Sequence, residues 1–198
     1  MTKPVFINKK IKNFNKKITI SGDKSLSIRW ALIASQATGK SKAYNLLNSE
    51  DVLSAIKCLK KLGTKISFKK NYCEIIGSGL NGFFFKKNLT LNAGNSGTLG
   101  RLILGLLIHY PHKVKLVGDK SLSKRDFSRV INPLKNFGAN FYQCKKSSLP
   151  LYIQGTKYVR PIKYYENRGS AQCKSSVMFA ALNTPGKTYI KAKKSRDH

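Results

Sequence analysis

The string GDKSLS-x-R occurs twice in this chain, at residues 22–29 and again at 118–125. A looser pattern occurs three times: a small, polar, Ser-containing loop, an apolar helix-like run, a turn, and an alternating strand. The first copy is SGDKSLSIRWALIASQATGKSKAYNLL, with a helix expected from near Ser25 to just before Gly39, a residue suited to stop it. Ile18 and Ile20, ahead of it, read as a strand. The second copy, NAGNSGTLGRLILGLLIHYPHKVKLVG, is stopped by Pro111 and followed by a strand carrying Val114 and Leu116. The third, GSAQCKSSVMFAALNTPGKTYIKA, stops at Pro185-Gly186 ahead of Tyr189 and Ile190. Ser25 and Ser96 are 71 residues apart, and Ser96 and Ser170 are 74 apart. Between the copies lie two further helical patterns, DVLSAIKCLKKLGTKISF and FSRVINPLKNFGANFYQ, each ending at a Gly before a strand; Pro133 is expected to displace the start of the second.

A pattern of this period predicts about three βαβαββ-like units in one α/β domain. A unit so small buries its apolar helix only against its siblings, so three helices share one core. Their starts, each behind a Gly/Ser-rich loop, would then lie at similar positions. Exposed N–H groups and the positive end of the helix dipole make each a potential anion site. Residues 1–17 fall outside the pattern; Val5-Phe6-Ile7 is expected to be a strand that pairs elsewhere.

With 198 residues, 41% of them hydrophobic, the chain can build one domain with a real core, or one domain and a piece of another. No apolar run approaches the roughly 20 residues that cross a bilayer, and the N-terminus MTKPVFINKK lacks a signal-peptide core. A cytoplasmic protein is expected. Cys58, Cys73, Cys144 and Cys173 lack the close pairing of a zinc site and are expected to be isolated, reduced thiols in or near a core. The formal net charge of +30 raises an alternative, a basic nucleic-acid-binding module. Against it, lysine supplies 31 of the 38 basic residues alongside an excess of Asn, Ile, Phe and Tyr, as AT-rich coding produces, and the charges are scattered rather than gathered in one arm.

Lys24 and Ser25 stand at the first helix start, and Arg29, one turn on, reaches the same face. Cations there oppose the dipole by a few tenths of a kcal/mol unless an anion arrives, a local misfit that points to binding. A solvated basic turn would explain one such string more readily than two. Asn95, Ser96, Gly97 and Thr98, followed by Arg101, form the second loop, where glycine admits close backbone approach and hydroxyls supply bonds. Ser170, Ala171 and Gln172 form the third. Gly39-Lys40-Ser41 is similar to the end of a P-loop, but Ala34 stands where the first Gly belongs and the triplet comes after a helix instead of opening one. His109, His112 and His198 make no metal or nucleophile set, and no paired carboxylates serve as general acid and base.

GDKSLSIR, NAGNSGT with its following Arg, the second GDKSLSKR, GSAQCKS and the terminal SRDH resemble, in order, motifs of EPSP synthases, over about residues 18–198. The resemblance implies an inverse α/β barrel of the enolpyruvyl transferase type, built from βαβαββ units. It implies transfer of the enolpyruvyl group from phosphoenolpyruvate to the 5-hydroxyl of shikimate 3-phosphate, with no metal or organic cofactor. By motif, Lys24 contacts both substrates and is the catalytic candidate. Ser25, Arg29, Ser170, Ala171, Gln172 and Ser195 or Arg196 hold shikimate 3-phosphate. Gly97, Arg125 and Gln172 hold phosphoenolpyruvate, and Asn95, Thr98 and Arg101 support that loop. Asp126 stands where the family often has Pro, which leaves the next helix start open. The implied organisation is an N-terminal strand, 1–17, belonging to another domain, and a substrate-binding domain, 18–198, that stops short of its C-terminal end. The family's acid–base carboxylates lie beyond SRDH, so the chain is expected to be an incomplete portion, inactive alone. The full-length enzyme is expected to be a monomer whose partners are its two small substrates, with no nucleic acid and no membrane.

Overall fold

The computed structural model describes residues 4–6, 8–10, 12–13, 15–70, 72–143 and 147–193. Ser195 and Arg196 therefore lie outside the described residues, as do Cys144 and His198. Helix α1 (Lys24–Gln36) starts where the Asp23 carboxylate accepts the Leu26 N–H at 2.7 Å. It leads into β1 (Thr38–Ala43), α2 (Glu50–Lys61), β2 (Lys65–Lys69) and β3 (Tyr72–Ser78), whose strands pair antiparallel in the order β1-β3-β2. Next come β4 (Leu89–Asn92), α3 (Gly97–Leu107), β5 (Lys113–Val117), α4 (Ser128–Asn136), β6 (Asn140–Gln143) and β7 (Leu151–Gln154). Their sheet runs β4-β5-β7-β6, with β4 and β5 parallel across the α3 crossover. Last are β8 (Lys163–Glu166), α5 (Ala171–Leu182) and β9 (Tyr189–Ala192), a parallel pair across a crossover helix. The order β1-β3-β2 matches β5-β7-β6, and β8-β9 matches β4-β5.

Two features depart from the sequence reading, and two more add to it. Ile18 and Ile20 form no strand and are 69% and 73% exposed; one bond, from Asn45 Nδ2 to the Ile20 carbonyl at 3.0 Å, is what the chain offers them. A strand exists only against a partner's ladder, so alternation without a partner leaves extended coil. The described residues of 1–17, expected to pair outside this domain, form no helix or strand within it, and Val5 and Phe6 are exposed. Pro133 does not delay α4, which starts at Ser128 and runs through it; the cost is one backbone donor in the second turn. Finally, the two GDKSLS strings fold differently. The first opens α1, whereas the second makes only a 3₁₀ turn (Leu122–Lys124) between β5 and α4. In both, the Asp accepts the N–H three residues on, Leu26 from Asp23 and Leu122 from Asp119.

One buried cluster draws on all five helices and the inner faces of the sheets, including Ile28 and Leu32 of α1, Leu59 of α2, Leu102 and Ile103 of α3, Leu134 of α4 and Val177 of α5. Each such side chain contributes about 1.5–3 kcal/mol by leaving water. Helix α3 is the centre: every residue of it except Arg101 is buried, as an all-round apolar helix requires. It packs along α5 and touches α1. At Gly105 the approach to α5 is closest. A Cβ there would stand 2.2 Å from the Ser176 carbonyl oxygen and 3.1 Å from Phe179 Cβ. Across the same contact His109 Nε2 lies 3.3 Å from the Ala180 carbonyl, and burial pushes that imidazole below its ordinary value.

Gly105→Ala should therefore force α3 and α5 apart and lose about 1–3 kcal/mol or more in urea denaturation. Gly100→Ala, whose Cβ would meet the Phe127 ring at 3.4 Å and Ala93 Cβ at 3.6 Å, should cost clearly less. Equal effects of the two would show that the helix crossing does not set the packing.

Candidate functional site

The starts of α1, α3 and α5 are each capped by a side chain one residue ahead: Asp23 to Leu26 N–H, Ser96 to Leu99 N–H at 3.2 Å, and Ser170 to Cys173 N–H at 3.2 Å. At α1, the cation read as a misfit already has a partner, since Lys24 Nζ lies 3.0 Å from Asp51 in the first turn of α2. Arg29 does not. Its Nη1 donates to the Ser25 carbonyl at 3.2 Å, while Nε is buried with no hydrogen-bond partner. Burial pushes the guanidinium below its ordinary value, with Asp23 opposing. An unsatisfied buried donor on a cation costs free energy that an arriving anion recovers.

The second cluster surrounds Gly97. A Cβ at this position would stand 2.9 Å from Nη1 of both Arg101 and Arg125, so a side chain here would push the guanidinium groups from their present places. Arg101 Nη1 donates to Gln172 Oε1 at 2.9 Å, and Gln172 Nε2 donates to Thr98 Oγ1 at 3.0 Å. The amide thus joins both ends of α3's first turn to the start of α5. Arg101 also donates from Nη2 to the Asp126 carbonyl at 3.2 Å and lies over the Phe127 ring at 5.1 Å. Burial pushes Arg101 below its ordinary value, and the neighbouring cations Arg125 and Arg129 push the same way. Asn95 Nδ2 bonds the Asp119 carboxylate, tying the Gly97 loop to the 118–125 string. Asp119, Lys120, Ser121, Lys124 and Arg125 line an open concavity beside it.

Asp126 resolves the helix start that the sequence left open. Its Oδ1 accepts the Ser128 N–H at 2.8 Å and its Oδ2 the Ser128 hydroxyl at 2.6 Å. This local turn bends the chain after Arg125, as a proline would by fixing φ, and stops the second GDKSLS string from growing into a long helix. Those bonds hold the Asp126 carboxyl below its ordinary value.

The structure thus gathers Gly97, Thr98, Arg101, Arg125 and Gln172, with Asn95 at the edge and Ser170 and Ala171 opening the same helix as Gln172. Lys24, Ser25 and Arg29 form a separate group at α1, with no bond to the first. Sequence reasoning missed the parts played by Asp51, Asp119 and Glu166, and noted Asp126 only as a departure from the family pattern. Only the Asp of each GDKSLS string carried a signal, as an N-cap residue. Cys58, Cys73 and Cys173 are free and buried, the first two with burial pushing the thiol up to about 11. Among the described residues no three of His, Cys, Asp and Glu gather as metal ligands, and no helix is long and apolar enough to cross a membrane.

A family model for EPSP synthase (3-phosphoshikimate 1-carboxyvinyltransferase) matches residues 8–198. The chain is 40% identical over 183 residues to the 3-phosphoshikimate 1-carboxyvinyltransferases of Streptococcus pyogenes serotypes M49 and M3, covering 91% of this chain. It superposes on a solved EPSP synthase from Acinetobacter baumannii with a TM-score of 0.87 at 31% identity, covering 92% of this chain and 41% of that one. Mixed sheets with crossover helices, in this superposition, define an α/β protein of the enolpyruvyl transferase fold. Within that class the chain belongs to the EPSP synthase family. It spans 43% of the length of the M49 relative and 42% of the M3 one.

Carboxylates held below their ordinary range stabilise the folded state above that range, and this stability is lost as pH falls through their folded values. With Asp126 and Glu166 both so held, the thermal midpoint should be level near neutral pH and fall below about pH 4. Asp126→Asn should flatten part of that acid limb, and an unchanged limb would show that the Asp126 turn does not contribute.

Proposed function

We propose that this chain carries the shikimate 3-phosphate half of a site that transfers the enolpyruvyl group of phosphoenolpyruvate to the 5-hydroxyl of shikimate 3-phosphate, with release of phosphate. The observation that carries the reading is a set of arginines whose neighbouring aspartates, Asp23, Asp119 and Asp126, bond backbone N–H groups instead of pairing with them. Among the described residues none of Arg29, Arg101 and Arg125 has a carboxylate in ion-pair range, and two of them are part-buried. Cations kept without a direct ion pair, one at the start of α1 and two beside Gly97, favour an anionic ligand. The family's motifs put its substrates at the same residues.

In this reading residues 18–198 are the substrate-binding domain, and 1–17 belong to another. Ser25, Arg29, Ser170, Ala171 and Gln172 hold shikimate 3-phosphate, with Ser195 or Arg196 completing its phosphate site. Lys24 reaches both substrates from the start of α1, its ammonium oriented by Asp51. Gly97 lets the phosphoenolpyruvate anion approach backbone N–H groups, Arg125 grips it bidentately, and Arg101 and Thr98 hold Gln172 in place beside it. Asn95 steadies the loop through Asp119. The reaction needs no metal or organic cofactor, and with this chemistry goes a cytoplasmic setting.

Calorimetric titration of the 198-residue chain should show saturable binding of shikimate 3-phosphate, tighter than inorganic phosphate. Arg29→Ala should weaken it about tenfold or more, the worth of a charge-assisted bond. Equal affinity for phosphate, or no loss in the variant, would overturn the assignment.

A further inference from the structure

Glu166 is not among the proposed substrate contacts, yet it is the most buried acid among the described residues, 4% exposed. It ends β8, its carbonyl accepting the Lys193 N–H at 3.0 Å beside β9. Its carboxylate turns back onto the segment after the strand. Oε1 accepts the Arg168 N–H at 2.9 Å and lies 3.7 Å from Arg129 Nη2 of α4, and Oε2 accepts the Tyr164 hydroxyl. Two residues beyond Arg168, past the left-handed turn at Gly169, Ser170 caps α5 and Gln172 meets Thr98 and Arg101. On the other side, Arg129 lies four residues beyond Arg125. One carboxylate therefore bonds the turn before Ser170 and attracts the helix that comes after Arg125.

A buried charge is a poor source of net stability, because desolvation consumes most of what its partners return. What several donors on one carboxylate do supply is geometry: each fixes a direction, and together they leave the turn one arrangement. Burial by itself would raise this carboxyl, but the bonds from Tyr164, Arg168 and Ser170, with Arg129 nearby, hold it ionised below its ordinary value.

We propose that Glu166 is a positioning residue of the substrate site, holding the turn at residues 167–169 so that Ser170, Ala171 and Gln172 face substrate in register with Arg125. It touches no substrate itself and acts through Gln172. The proposal rests on the reading of Ser170, Ala171 and Gln172 as shikimate 3-phosphate contacts.

The test is a double-mutant cycle on shikimate 3-phosphate affinity in the 198-residue chain, with Glu166→Gln, Gln172→Ala and the pair, together with amide hydrogen exchange. Glu166→Gln keeps the volume and removes the charge. It should weaken binding about tenfold, and should speed exchange at Arg168 by a similar factor while α1 and β1–β3 keep theirs. In the pair, the losses should fall clearly short of additive, because Gln172 is one of the contacts the turn positions. Additive losses, as general weakening of the fold would give, overturn the proposal, and so does unchanged exchange at Arg168. Where Glu166→Gln does not fold, Tyr164→Phe removes one donor, keeps the charge, and is read by the same cycle. An unaltered chain that binds no shikimate 3-phosphate overturns the functional reading instead; exchange at Arg168 then decides whether Glu166 holds the turn.

Discussion

Helices α3 and α5 approach so closely at Gly105 that no side-chain carbon fits before the Ser176 carbonyl, and the polar site is built outward from that contact. One turn toward the helix starts, the Ser176 hydroxyl donates to the Arg101 carbonyl at 2.9 Å, fixing the rotation of one helix on the other. A further turn on, Gln172 of α5 bonds both Thr98 and Arg101 of α3. A looser crossing would lengthen all three bonds together, since the helices are rigid over this distance and interiors are packed at crystal-like density. The close approach therefore sets the geometry of the Gly97 cluster as well as the core.

The second constraint is a shortage of acids. Eight Asp and Glu face 38 Lys and Arg, and six of the described carboxylates are held by bonds of their own. Asp23, Asp119 and Asp126 bond backbone N–H groups, Asp51 and Glu74 hold Lys24 and Lys40, and Glu166 organises the turn before α5. Among the described residues none of these carboxylates ion-pairs directly with Arg29, Arg101 or Arg125, although Asp23, Asp126 and Asp119 lie near enough to attract them. The same scarcity that makes the chain strongly basic leaves its site cations open to anions, so the global charge and the local chemistry have one origin.

The two GDKSLS strings show how far identical residues determine structure. The cap is common to both, because an Asp two residues before a Ser can always reach the N–H three positions on. Their continuations differ. The first string runs on into IRWALIASQ, which extends a helix; the second runs on into Arg125-Asp126-Phe127, where the Asp126 turn and the burial of Phe127 redirect the chain. The first string thus opens α1, in the place that NAGNSGT holds before α3, while the second precedes α4, in the place of the segment before α2. Repetition of a string and repetition of a unit are therefore out of step here, and only the surroundings show it.

The sequence by itself determined the helices, their order and some of the strands. Apolar periodicity, Gly and Pro stops and capping residues act within a few residues, so all five helices and the strands at Val114 and Tyr189 were legible, as was the family likeness carried by the motifs. The loops that bear the candidate site residues were legible for the same reason. Tertiary structure decided the rest. Ile18 and Ile20 alternate like a strand but have no ladder to join, and pairing is a property of two segments, never of one. That Gln172 meets Arg101, that Asp51 holds Lys24, and that an isolated Glu166 joins Tyr164 to Arg129 all depend on side chains separated by up to 71 residues. Such contacts come from packing helices on a shared core, a long-range effect that no local pattern in the chain encodes.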